Sequence, residues 1–140
     1  MITNPDETQV KQILQECDLP ISDIGPAYLE NFFAMGDDSG LFGVVGLELY
    51  GETALLRSLA VLSRHRGRGT GTQLVSQAEQ YARAQGVQRV YLLTTTADRF
   101  FLKLGYSPIS RDQAPATIQS TLEFSNLCPS SSVIMIKAIA

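Results

Sequence analysis

Apolar residues near the start of the chain recur at helical spacing, with Val10, Ile13, Leu14 and Cys17 on one face and Pro20 closing the segment. Asn4-Pro5-Asp6-Glu7 reads as the start of that helix, with Asn4 as N-cap, Pro5 at the first helical position and Glu7 three after the cap. A second short helix around Ser22–Tyr28 is interrupted by Gly25-Pro26. The period then shortens. Strands are predicted over Asn31–Met35, Leu41–Tyr50 and Thr53–Leu62, separated by the turns Gly36–Gly40 and Gly51-Glu52, which together make an antiparallel meander.

Beyond it, Ser63–Gly69 is a loop and Thr70–Gln85 a helix whose inner face carries Leu74, Val75, Ala78, Tyr81 and Ala82, capped by Gly86. Arg89–Thr95 is nearly all apolar, as a strand buried on both faces should be. Strand, helix and strand form a β-α-β crossover, so 53–62 and 89–95 should be parallel neighbours. Ala97–Leu104 reads as a short helix ended by Gly105, followed by strands near Tyr106–Ile109 and Ser132–Ile139 with an inserted helix over Asp112–Ser125.

A length of 140 residues suits a single domain spanning 1–140, and no apolar stretch is long enough to span a membrane. The N-terminus lacks a secretion-signal pattern, and Cys17, Cys128 and the single histidine, His65, make no metal-ligand spacing. These features point to a reducing, cytoplasmic setting without a metal cofactor. Charge is unevenly divided. Residues 1–52 hold ten acids and one base, whereas 53–140 hold ten bases and four acids. A basic second half suggests an anionic ligand, although the cluster Arg57, Arg64, Arg66 and Arg68 lacks interleaved aromatics and does not suit nucleic acid.

The segment Val61–Gly71 carries the chemistry. A strand runs into a loop with glycines at 67, 69 and 71, and the loop opens into a helix. A helix start offers unpaired N–H groups and a positive dipole end, glycines let phosphate oxygens reach the main chain, and Arg66 and Arg68 add charge. A Walker loop would need a lysine before Thr72, and a dinucleotide fingerprint would need G-x-G-x-x-G; neither fits. The pattern present is Arg66-x-x-Gly69-x-Gly71.

With apolar strands on either side of this loop, and with Phe100–Tyr106 as an aromatic–x–x–x–Gly–aromatic helix ending, the chain resembles the GCN5-related N-acetyltransferase (GNAT) superfamily. The likeness covers roughly residues 41–110. It implies a mixed α/β fold whose central sheet has six or seven strands, and acetyl-CoA as cosubstrate. A bulged backbone at Leu59, Ala60 and Val61 would bond the pantetheine arm and polarise the acetyl carbonyl, and the amides of Gly67, Arg68, Gly69, Thr70, Gly71 and Thr72 would hold the pyrophosphate. A small amine would then attack the thioester directly. Within the superfamily, Leu55–Val61, Tyr91–Ala97, Glu123-Phe124 and Leu127-Cys128-Pro129 are similar to the acetyltransferases of arsenic-resistance operons, which implies an amino-acid-like or toxic acceptor and a role in arsenic resistance.

Two departures stand out. Relatives in the superfamily often place a tyrosine acid where this chain has Phe101, and an asparagine where it has Thr94-Thr95-Thr96. Glu48 is the candidate general base, or else a solvent-facing acid on an amphipathic strand. Arg57 interrupts an apolar strand and reads as acceptor-binding together with Arg111, or as an ion-pair partner of Glu48 or Glu52. His65 reads as a solvated loop residue, and Cys128 as a structural cysteine or a soft ligand lining the acceptor pocket. Neither nucleic acid nor membrane is expected as a partner, and a homodimer is compatible with the reading. The competing function is a non-catalytic acyl-CoA-binding or sensor module.

Overall fold

A computed structural model describes residues 2–17, 19, 21, 24, 29–121 and 132–140. The expected second helix around 22–28 and Cys128 therefore lie outside the described residues. Seven strands hydrogen-bond in the order β1-β2-β3-β4-β5-β7-β6. They are β1 (Ile2–Thr3), β2 (Phe32–Asp37), β3 (Gly40–Tyr50), β4 (Thr53–Val61), β5 (Arg89–Thr94), β6 (Ser107–Ile109) and β7 (Val133–Ala138). The helices are α1 (Glu7–Glu16), α2 (Thr70–Ala84), α3 (Asp98–Lys103) and α4 (Ala116–Gln119). The mixed α/β class and the central sheet are as the sequence implies.

The chain gathers into two compact units, Met1–Glu48 with Leu56–Tyr81, and Leu49–Leu55 with Ala82–Ala140. In the first, β1 and β3 flank β2 antiparallel, in registers that include Ile2↔Ala34 and Phe33↔Val45. Its core joins Val10, Ile13 and Leu14 of α1 to Phe32, Ala34, Val44, Ala60 and Leu62. In the second, β4 begins parallel to β5 through Thr53↔Arg89, Ala54↔Val90 and Leu55↔Tyr91, as the crossover predicts. There β7 pairs antiparallel with both β5 and β6, and Leu55, Tyr91, Leu93, Ala114, Ile118 and Ile134 form the core.

Two local readings need correction. The first helix is capped by Asp6, whose carboxylate accepts from Gln9 N at 3.1 Å, and not by Asn4. Asn4 stands at φ +47 and donates its N–H to Phe32 O at 3.2 Å, turning the chain out of β1 before Pro5. An N-cap needs extended backbone, as Asp6 has at φ −62 and ψ 131, and left-handed Asn4 does not supply it. The insert is broken: a 3-10 turn at Arg111–Gln113, closed by a Ser110/Gln113 capping box, gives way at extended Ala114 to α4. Pro115 enforces that extended residue, because a residue ahead of proline is disfavoured in the helical region. Residues 122–131 lie outside the described part.

Candidate functional site

The glycine motif itself, Val61–Gly71, lies within the first unit. At the end of β4, Leu62 donates its N–H to Phe42 O of β3 at 2.9 Å, so the loop leaves from a fixed point. The chain then makes a 3-10 turn, Ser63–His65. His65 is half-buried and stacks on Phe42, with ring centroids 4.1 Å apart and planes 12° from parallel. That stack replaces the expected solvated loop histidine. The ring anchors the turn through an aromatic face contact worth about 1 kcal/mol.

Gly67 and Gly69 take φ of +80 and +79, left-handed values that an L residue adopts at a cost of about 1–2 kcal/mol. A Cβ built on either would meet nothing within 4 Å, so the space beside this main chain is open. Thr70 then opens α2, and the first i to i−4 bond from the loop is Gln73 N to Gly69 O at 3.0 Å. Helix geometry therefore leaves the amides of Thr70, Gly71 and Thr72 without an intrahelical acceptor. Thr70 itself is buried, and the helix start is pressed onto β3: a Cβ on Gly43 would lie 3.0 Å from Thr70 Cγ2 and 2.9 Å from Leu74 Cδ1. Orphan amides, a dipole end and an open glycine face together make an anion cradle.

Arg66 and Arg68 flank this cradle and are exposed. Arg66 folds back, its Nε donating to Val61 O at 2.9 Å and its Nη2 lying 3.8 Å from Cys17 Sγ. In that position it ties the loop to the end of β4.

Upstream in β4, Ser58 sits at φ +58, a left-handed residue inside a strand that is not glycine. Such a conformation costs on the order of 1–3 kcal/mol and persists only where neighbours fix it. It breaks the alternation of main-chain groups immediately before Leu59, Ala60 and Val61. The neighbours are Glu48 and Arg57. Arg57 Nη1 lies 2.6 Å from Glu48 Oε2, and Arg57 Nε donates to Ser58 Oγ at 3.1 Å. Arg57 is 2% exposed and Glu48 5%, so the carboxylate is not the solvent-facing acid of the amphipathic-strand alternative. Removing one partner of such a buried pair costs about 3–5 kcal/mol.

In the second unit, Phe101 is buried on α3, edge-on to Phe100 at 5.1 Å and to Tyr106 at 5.5 Å. Arg111 is half-buried in its 3-10 turn. Among the described residues, no group of three or more His, Cys, Asp or Glu side chains could hold a metal ion. No helix among them is long and apolar enough to cross a membrane. Sequence reasoning missed Ser58, because no residue type there announces a left-handed backbone. Of the two readings offered for Arg57, the structure shows the ion pair with Glu48, which the hairpin turn at Gly51-Glu52 brings about. A two-residue loop sets Glu48 and Arg57 as diagonal neighbours on one face of the ladder.

Comparison with known proteins gives this geometry a context. The pattern of the Acetyltransferase (GNAT) family matches residues 5–106. The chain is 33% identical over 92 residues to an uncharacterized N-acetyltransferase of Chlorobaculum tepidum, which covers 65% of this chain and 59% of that protein. It is 32% identical over 89 residues to an amino-acid acetyltransferase of Ralstonia nicotianae, covering 62% of this chain and 20% of that one. The chain thus spans less than two thirds of the length of these relatives. In fold it matches N-acetylglutamate synthase of Neisseria gonorrhoeae, solved with coenzyme A and N-acetyl-glutamate, at a TM-score of 0.83 and 18% identity, over 95% of this chain and 32% of that one. A Mycobacterium tuberculosis protein solved with CoA matches at 0.77 and 20% identity, over 99% and 98% of the two chains. With the family pattern running from the end of β1 through the glycine loop to Tyr106, the chain belongs to the acetyltransferase (GNAT) family.

Proposed function

We propose that the protein is an acetyl-CoA-dependent N-acetyltransferase acting on the amine of a small, amino-acid-like compound. The single observation that carries this is the cradle at Gly67–Thr72: open left-handed glycines leading into the orphan amides of a helix start, with exposed Arg66 and Arg68 beside the first glycine. A pyrophosphate matches that arrangement in charge and geometry. The main chain at Leu59, Ala60 and Val61 would then receive the pantetheine arm and polarise the acetyl carbonyl.

The acceptor's nitrogen lone pair attacks that carbonyl. A C–N bond forms, the C–S bond breaks and CoA leaves as its thiolate, while the nitrogen's proton passes to solvent water. The thiol of CoA ionises near the free cysteine range, about 8.5, so it departs tolerably without a protein acid. The absence of a phenol at Phe101 is consistent with that. For the acceptor, the names of the amino-acid acetyltransferase relatives support a compound bearing both an amine and an acidic group. The likeness of three short segments to arsenic-operon enzymes favours an amino-acid-like arsenical within that class, and so a part in arsenic resistance. Arg111 is the residue we assign to the acceptor's acidic group.

The test is thiol release from acetyl-CoA against a panel of amines. Release that depends on the amine supports the transferase. Tight acetyl-CoA binding with no amine-dependent release across amino acids, polyamines and arsenicals would favour the sensor module instead.

A further inference from the structure

Glu48 on β3, Arg57 and Ser58 on β4 form a connected chain of buried contacts. Glu48 Oε2 fixes one end of the guanidinium at 2.6 Å, and the Nε at its other end donates to Ser58 Oγ at 3.1 Å. The guanidinium is planar and rigid, so an anchor at Nη1 dictates where Nε stands. Ser58 Oγ is two bonds from the Cα whose φ is +58, and holding that oxygen restrains the backbone itself. An L residue relaxes out of this conformation unless something holds it. The residues that follow, Leu59–Val61, are those to which the acetyl-transfer reading gives the thioester.

We propose that Glu48 and Arg57 are positioning residues: their ion pair holds Ser58 left-handed and thereby aims the main chain of Leu59–Val61 at the acyl group. The proposal rests on the acetyl-transfer reading, and it gives Glu48 the task of orienting Arg57 in place of accepting the substrate's proton. A carboxylate buried against a guanidinium suits that task, because its Oε2 is already engaged by Arg57 Nη1.

The test uses three variants of the whole chain. Replacing both partners, Glu48→Met with Arg57→Met, leaves no unpaired buried charge, so the protein should remain folded with a melting temperature near the parent's. The three-bond HN–Hα coupling and the Cα shift of Ser58 should nevertheless leave their left-handed values. The kcat should fall by ~tenfold to ~100-fold while the KM for acetyl-CoA stays within ~threefold, because aim is lost and not the pyrophosphate site. Glu48→Gln can still accept the guanidinium's hydrogen bond but cannot act as a base. Its kcat should fall only as far as the Ser58 coupling moves, whereas loss of a base would lower kcat with that coupling unchanged. Should the double variant fail to fold, Ser58→Ala decides. It removes Oγ but keeps the Cβ that makes the left-handed backbone costly, so kcat should fall to a similar degree.

Unchanged Ser58 couplings in the double variant, parental kcat in Ser58→Ala, or a fallen kcat with parental Ser58 couplings in Glu48→Gln would each overturn the proposal. If the parent acetylates no amine, the acetyl-transfer reading fails by itself. The Ser58 couplings then still report whether the ion pair holds the backbone.

Discussion

Gly69 and Gly51 allow the cradle to be tested against a matched control. Both are left-handed, at φ +79 and +69, and a Cβ on either would meet nothing within 4 Å. Gly51 is the first position of the hairpin turn between β3 and β4, away from the loop. Replacing either by alanine forces an L residue into the same backbone region, at about 1–2 kcal/mol each. For a chain of this size that is a fall of about 3–8 °C in melting temperature, and total stabilities of about 5–15 kcal/mol leave both variants folded. Only Gly69 should also affect binding. Its Cβ would occupy the space through which a phosphate oxygen reaches the main chain. Gly69→Glu adds a negative charge there. Two unit charges about 4 Å apart repel by about 4 kcal/mol at an effective dielectric of about 20. Solvent around an exposed loop reduces this, and a loss of ~100-fold or more in acetyl-CoA affinity, about 2.7 kcal/mol, is expected. Calorimetric titration with acetyl-CoA, beside thermal melts, measures both quantities. Parental affinity in Gly69→Glu, or lost affinity in Gly51→Ala, would refute the reasoning.

Phe101→Ala removes a buried ring that meets two aromatic neighbours, so it should cost about 3–5 kcal/mol in chemical denaturation. With no phenol at that position, the same variant should keep every ionisation in the pH–rate profile. Arg111→Met should raise the acceptor's KM or lower kcat/KM by at least ~tenfold, about 1.4 kcal/mol, with acetyl-CoA affinity unchanged; steady-state kinetics with each substrate varied in turn would show it.

What the sequence made legible follows from where the physics is local. Glycine spacing, an arginine flank and a following amphipathic run depend on neighbouring residues, so the β4–loop–α2 segment could be read directly, within a residue at each end. The parallel β4–β5 crossover followed from the handedness and length of that connection. Features set by distant residues were harder to see. Strand β1 has only two residues and forms because Ile2 and Thr3 meet Ala34 and Phe33, which no local periodicity announces. The cap lies at Asp6 because pairing with Phe32 O holds Asn4 in a left-handed backbone, whereas a cap is extended. His65 found Phe42, twenty-three positions earlier in the chain. Glu48 and Arg57 were both recognisable as unusual, being charges inside apolar strands. Their mutual contact depends on the hairpin register, and no residue type marks the left-handed backbone at Ser58.

The most direct test of the account follows the acetyl group itself. The protein is mixed with acetyl-CoA carrying an isotopic label in the acetyl group and with an amino-acid-like amine, and protein, CoA and acceptor are then separated. Direct transfer predicts one label on the acceptor's nitrogen for each CoA thiol released, and none on the protein. Thiol release that ignores the amine, or label that stays on the chain, would contradict it.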